Sequence, residues 1–363
     1  MKTTYLLLCL LGIGSVSGAG QTKQPQKIGD FIESTSYNEH RRNATRSLQY
    51  TPDGDDFVCI NGKNRFTRAL YGSHTAFRLE TSDRPVFAAY TKENPKHICF
   101  KLQTSGGTVA LDSTEHCESR YTAGRRSYSL SDPAFGGGSL SITTWALPDK
   151  EGAIWQFNAR NFKEFHPVLL ASISEIRNSK LNRNGDMGAD PADSFEAPLQ
   201  PQQLQSFPVQ IDGTLYILLE NQELRTLTTA EGENLFKKAE AARSETASRI
   251  RIETPDPYFN TLGGTLAMAA DGIWDGEVWL HGAIGWRMPL SGWRAAYTGD
   301  VLGWHDRART HFNAYAASQV TEVPNTLPHP AQDSALHLAR SVKKWGTPQY
   351  LSLIHISEPT RPY

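Results

Sequence analysis

Cysteine is scarce in this chain: four residues in 363, one of them inside an N-terminal apolar run. That is too few to staple a small disulfide scaffold. The other three, Cys59, Cys99 and Cys117, are odd in number and lack paired zinc-ligand spacing. Either one bridge plus a free thiol or a set of buried, unpaired thiols accounts for them. Excess charge is also missing, with 37 Lys+Arg against 38 Asp+Glu and a net charge of −1. No basic stripe or polybasic run stands out, so neither nucleic acid nor an anionic membrane finds an electrostatic footprint. Apolar runs of membrane length are absent as well. The run Tyr5–Ile13 covers nine residues, too few to span a bilayer as a helix. A P-loop, a dinucleotide fingerprint and a Ser-His-Asp order are all lacking, because the glycines at 282 and 285 have no strand before them and Gly136–Gly138 have no helix after them. What is present is ordinary: 39% hydrophobic residues, enough for a packed core and incompatible with a disordered or collagen-like chain.

The two ends narrow the part that folds. Met1-Lys2-Thr3-Thr4, the apolar run and the small-residue stretch Gly14–Gly20 are the three parts of a secretory signal peptide over residues 1–20, with cleavage expected near Ala19 or Gly20 and a mature chain in the periplasm or outside the cell. Cys9 follows a leucine rather than a small residue, which argues against a lipid anchor. At the other end, Leu351-Ser352-Leu353-Ile354-His355-Ile356-Ser357-Glu358-Pro359-Thr360-Arg361 resembles a translated transposase sequencing adapter. Residues 351–363 are therefore read as an artefact, and the natural protein is expected to continue past Tyr350.

Residues 21–45 form a polar leader. From 46 to 225 short β-like runs alternate with turn residues: Phe57–Ile60, Ala76–Leu79, Val86–Tyr90, Ile98–Leu102, Val109–Leu111, Leu140–Ala146, Ile154–Ala159, Val168–Ile173 and Leu215–Leu219. About nine strands at such spacing, without intervening helix, predict an antiparallel β-sandwich. Near Leu227 the period changes to that of a helix. Thr228–Glu231 has capping-box spacing, and Leu235, Ala239, Ala242, Thr246 and Ile250 recur every three or four residues. Gly232 weakens its first turn, and Thr254-Pro255-Asp256-Pro257 is expected to stop it. This gives a linker helix within 226–256. Beyond it, within 257–350, Leu262, Leu266, Ala269 and Ile273 mark one helix, Gly292–Asp300 a short one, Trp304, Ala308, Phe312, Tyr315 and Gln319 another, and Ala335, Ala339 and Val342 a last, capped by Asp333. Sandwich, linker helix and helical hairpins in that order are the layout of sugar-processing enzymes with a six-hairpin (α/α)6 barrel, here an incomplete toroid.

The chemistry-bearing residues concentrate between Asp271 and Asp306, where five of the eight tryptophans fall. Two readings compete. The tryptophans are barrel core with Arg–Asp ion pairs at helix ends, or they are platforms for sugar rings. The second reading takes Trp279, His281, Trp286, Arg287, Trp293, Arg294, Asp300, Trp304 and His305 as substrate-binding, an arginine fork suiting a uronate carboxylate. Trp279, Trp286 and Trp293 are spaced by sevens, although Pro289 and Gly292 leave only the first pair able to share a helical face. Glycoside hydrolysis needs two carboxyl groups about the scissile bond. Asp275 and Glu277, in a Gly-containing loop, and Asp306 are the candidates, Asp306 being equally suited to complementing a helix dipole. No cofactor is implied. Asp186, Asp190 and Asp193 lie in an oxygen-rich loop able to ligate calcium, though without EF-hand spacing.

Tyr50–Lys63, Asn64–Gly72, Gly185–Pro191 and the block from Leu280-His281-Gly282 to Trp304-His305-Asp306-Arg307-Ala308 resemble a Bacteroidetes secreted family known as domain of unknown function 4450. The resemblance implies similarity to six-hairpin glycosidases and a helical domain longer than this one. It brings no catalytic assignment. The sequence thus leads to an exported carbohydrate-active enzyme, a glycoside hydrolase for plant or host polysaccharide fragments, truncated and inactive in this form. A polysaccharide lyase, with His281 or a tyrosine as base, and a non-catalytic glycan-binding protein are the alternatives. Sugar, linkage and oligomeric state stay open.

Overall fold

A computed structural model describes residues 50–63, 68–72, 77–90, 96–162, 167–175, 204–280 and 296–316. The first five strands are β1 (Thr51–Asp53), β2 (Asp56–Ile60), β3 (Arg68–Tyr71), β4 (Arg78–Thr81) and β5 (Val86–Tyr90). The next five are β6 (Lys96–Thr104), β7 (Gly107–Ala110), β8 (His116–Thr122), β9 (Arg125–Ser131) and β10 (Ser139–Ala146). The last are β11 (Gly152–Arg160), β12 (Val168–Glu175), β13 (Gln205–Pro208), β14 (Thr214–Glu220) and β15 (Glu223–Leu227). They form two antiparallel sheets arranged as a sandwich. One has the order β1-β2-β8-β9-β10-β11-β14-β15, the other β13-β12-β6-β5-β4-β3, with β7 also on β6.

Period-two alternation sends one face of each sheet into a shared core. Tyr128, Leu130, Leu140, Ile142, Trp155, Phe157 and Ile217 from the first sheet meet Leu79, Phe87, Ile98, Phe100, Leu102 and Leu169 from the second. Edge-to-face ring contacts join the two sets, Phe87 to Trp155 at 5.4 Å and Phe100 to Phe157 at 5.1 Å between centroids. In β11 and β14 the alternation is lost because both faces are covered. Trp145, Ile154, Tyr216 and Leu218 point away from the inter-sheet core and pack with Leu227, Leu235, Phe236 and Ala239.

Those last residues come from helix α1 (Thr229–Ala247), which lies on the outer face of the first sheet. Its start is the expected capping box: Thr228 Oγ1 accepts from the Glu231 N–H at 3.3 Å, and Glu231 Oε2 accepts from the Thr228 N–H at 2.9 Å. Its end differs from expectation. The helix stops at Ala247, so Ile250 lies beyond it and packs instead near Trp279 and Trp304. The Thr254–Pro257 stretch opens the next helix, α2 (Pro257–Asn260), where Asp256 Oδ1 accepts from the Tyr258 N–H at 2.8 Å and Pro257 takes the first position.

Helix α3 (Leu262–Gly272) packs Leu262 on the sandwich core, and Ile273 just past it on the helical core, but its buried positions are not the ones the spacing marks. Gly263, Ala267, Met268 and Gly272 are buried, while Leu266 is 50% exposed. Close backbone approach decides this. A Cβ on Gly263 would stand 2.8 Å from the Ile250 carbonyl oxygen, and one on Gly272 would stand 2.4 Å from the Tyr71 ring. Residues 296–301 are helical, and helix α4 covers His305–Ala316. The expected helix around Ala335–Val342 falls outside the described residues. Cys59, Cys99 and Cys117 are all free thiols, so the bridged alternative is set aside. Among the described residues, no helix is long and apolar enough to cross a membrane.

Candidate functional site

Tryptophan and arginine side chains gather where α1, α3 and α4 meet the end of the sandwich. A cleft of about 250 Å³ opens there. Tyr71 from β3, Gly124 from the β8–β9 turn and Trp145 from β10 supply the sandwich wall. Arg243 and Glu245 of α1, Arg249 just past it, and Met268 and Asp271 of α3 supply the next wall. Trp274, Trp304 and Arg307 add to the lining.

Two guanidinium groups sit over the Trp304 ring, Arg249 at 5.0 Å and Arg307 at 4.8 Å from its centroid. Arg307 also lies 5.5 Å from the Trp274 ring and donates from Nη1 to Asp271 Oδ1 at 2.6 Å. Arg249 Nη1 donates to the Leu302 carbonyl at 2.9 Å. Stacking and these hydrogen bonds hold both guanidinium planes in place while each retains further N–H donors. Arg243 is committed to the frame, donating to Glu240 and to the Ala123 carbonyl. Tyr71 is half-buried, and its hydroxyl is pushed up to about 12 by burial, with the Glu80 charge acting in the same direction.

The residues singled out in the sequence have varied surroundings. Trp304 lines the cleft, but it is 8% exposed and packs in the same buried cluster as Trp279. Trp279 is 1% exposed and belongs to the core of the helical part. Its indole N–H donates to the Ala270 carbonyl at 3.1 Å, and its backbone N–H donates to Nδ1 of the buried His311 at 2.9 Å. It is not helical: it pairs across an antiparallel bridge with Trp274, so a helical face shared with Trp286 does not arise. Asp275 and Glu277 sit in the turn of that bridge. Gly276 takes φ +100°, and Asp275 Oδ1 accepts from the backbone N–H groups of Glu277 (2.9 Å) and Val278 (2.7 Å). Asp275 thus organises its own turn. Asp306 lies in the first turn of α4, 93% exposed, and accepts from Arg309 Nη1 at 3.0 Å. Asp300 and His305 come together, with Oδ1 and Nδ1 2.6 Å apart on an exposed surface.

None of Asp275, Glu277 and Asp306 lines the cleft, although Asp275 directly follows Trp274 and Asp306 directly precedes Arg307. The carboxylates that do line it are Glu245 and Asp271. The Asp271–Arg307 pair, between the end of α3 and the start of α4, is of the kind that the barrel-core reading expects, whereas nothing in the sequence singles out Arg249. A pair 36 residues apart leaves no local pattern to find. His281, Trp286, Arg287, Trp293 and Arg294 lie outside the described residues, as do the calcium candidates Asp186, Asp190 and Asp193. Among the described residues, no group of three or more His, Cys, Asp or Glu is placed to hold a metal ion.

Residues 95–249, from the start of β6 to just past α1, match the family described as "Domain of unknown function (DUF4450)". The resemblance drawn from the sequence is supported over that span, which includes Trp145, Arg243 and Arg249 of the cleft. No curated protein matches the chain.

Proposed function

We propose that the protein is an exported carbohydrate-active protein whose cleft holds a glycan, with glycoside hydrolysis as the activity class. The observation that carries the reading is the composition of the cleft. Trp274 is half-buried and brings an apolar ring to the lining, while Arg249, Arg307 and Asp271 bring donors and an acceptor beside it. Sugar rings present apolar C–H faces ringed by hydroxyls, and such a lining complements both features. The signal-like N-terminus supports export to the periplasm or beyond. In the same reading α3, α4 and the helix between them are the opening hairpins of an (α/α)6 toroid.

Within this proposal Asp271 becomes a better acid/base candidate than Asp275 or Asp306, because it alone of the three lines the cleft. A purely glycan-binding role is the second reading. It is favoured by the local structural roles that Asp275 and Asp306 fill. Titration of the chain with a panel of plant- and host-derived oligosaccharides, followed by tryptophan fluorescence, tests the shared premise. Saturable binding that Trp274→Ala removes, in a variant that still unfolds cooperatively, is expected; no binding to any member of the panel overturns both readings. Release of new reducing ends, abolished by Asp271→Asn with binding retained, separates the enzyme from the binder.

A further inference from the structure

We infer that the cleft selects an uncharged sugar residue and that the Tyr71 hydroxyl is one of its anchoring donors. This rests on the glycan reading above and adds both the class of glycan and a contact residue. The first argument is charge. Each guanidinium group in the described lining has a carboxylate beside it: Arg243 has Glu240, Arg307 has Asp271, and Arg249 has Glu245 at 3.8 Å. That leaves no excess charge to balance an acidic ligand. A uronate carboxylate would also meet Glu245 and Asp271 in the same lining, and like charges brought together act against it. An uncharged sugar meets no such opposition, and its hydroxyls both donate and accept. A guanidinium beside a carboxylate offers one donor and one acceptor at adjacent positions.

The second argument is the fate of the polar groups. Tyr71 lines the cleft and is half-buried, yet no partner among the described residues holds its hydroxyl. Its ring lies against Gly272, where a Cβ would stand 2.4 Å away, so α3 limits where the phenol can go. Burial and the Glu80 charge keep the proton on the hydroxyl, which leaves it a donor across the ordinary pH range. A half-buried hydroxyl of this kind gains from a ligand that supplies its partner. The third argument is size. A space of about 250 Å³ falls below the roughly 300–1,000 Å³ of pockets that take drug-sized ligands, which matches one sugar residue rather than a chain.

The test is calorimetric titration of the chain with the oligosaccharide panel, each uronate-containing member being paired with its carboxyl-reduced counterpart. Expected is binding of a reduced member about tenfold tighter than of its uronate parent. Binding confined to neutral members meets the same expectation. That affinity should change little between about 0.05 and 0.3 M salt, because no ion pair with the ligand forms. Tyr71→Phe keeps the ring and removes the donor. It should weaken the neutral ligand about five- to tenfold while retaining the thermal midpoint of the parent. Equal or tighter binding of the uronate parents overturns the inference and leaves the glycan reading standing. So does an affinity that falls steeply with salt. Unchanged affinity in a folded Tyr71→Phe variant removes Tyr71 from the ligand and overturns the inference as stated. If that variant does not fold, the comparison of reduced and uronate members settles the matter alone. No binding to any member, neutral or acidic, overturns the glycan reading itself.

Discussion

Glu240 accepts the indole N–H of Trp145 through Oε2 at 2.8 Å, joining the middle of α1 to strand β10. The same carboxylate accepts two N–H groups of Arg243 and one of Arg125. Burial acts to raise its pKa, but the hydrogen bonds from Arg243 and Trp145 and the two arginine charges prevail and hold it below the ordinary glutamate value. A depressed folded-state pKa gives stability that is complete above the unfolded-state value, near 4.3, and is lost as pH falls through the folded one. Denaturant unfolding followed from pH 7 to pH 3 should therefore show stability falling below about pH 4.5. Glu240→Gln should flatten that dependence. Glu240→Ala, which strands the indole and both guanidinium groups, should cost about 1–3 kcal/mol at pH 7.

Gly232 opens α1 against the ring of Tyr216. A Cβ at this position would stand 2.2 Å from Tyr216 Cγ, near the base of a buried side chain. Alanine is the better helix former by about 1 kcal/mol, so helix propensity alone predicts that Gly232→Ala stabilises. The close approach reverses the sign, and the variant should lose about 1–3 kcal/mol through overpacking. A raised thermal midpoint would show that the helix rides farther from the sheet.

Trp279 separates a core role from a sugar platform. Trp279→Ala should cost about 3–5 kcal/mol by leaving a cavity among Trp274, Trp304 and His311. Trp279→Phe should lower stability by less and leave the order of glycan preferences unaltered. A folded Trp279→Phe protein that loses glycan binding selectively would return this residue to the ligand.

Cys59 and Cys117 occupy the sandwich interior. Burial pushes the Cys117 thiol up to about 12, and burial with the Asp83 charge pushes Cys59 up as well. At pH 8 the Cys117 thiolate fraction falls on the order of a thousand-fold below that of a free cysteine. Iodoacetamide labelling mapped by mass spectrometry should leave both unmodified in the folded protein and modify both after unfolding. Rapid native labelling of Cys117 would contradict its placement.

The strands whose inward positions are aliphatic or aromatic were legible, as in β5, β6, β10, β11 and β14. Strands β8 and β9 were not. Their inward residues are Cys117, Ser119 and Tyr121, then Arg126, Tyr128 and Leu130, and an arginine in a core register reads as polar. Arg126 is tolerated there because it donates to the Ser82 carbonyl and to the Tyr50 hydroxyl. The start of α1 was legible from its cap. Its end was not, because the Thr254–Pro257 signal serves the following helix. At the site, Trp304 stood out as an aromatic among charges. Arg249 lies outside the block that the sequence marks, and nothing local pairs Asp271 with Arg307, since only the packing of α3 and α4 against the end of α1 brings them together.

The pairing of β2 with β8 sets Cys59 opposite Ser119, with five strands of the other sheet threaded between them in the chain. Likewise β12 returns to β6 after the chain has laid down β8–β11 of the first sheet. Each sheet is thus closed by a segment that has to wait for the other. The sandwich has no half that can assemble alone, and its search is dominated by distant contacts. Folding on the scale of milliseconds to seconds, in one concerted step for both sheets, is what such interleaving demands.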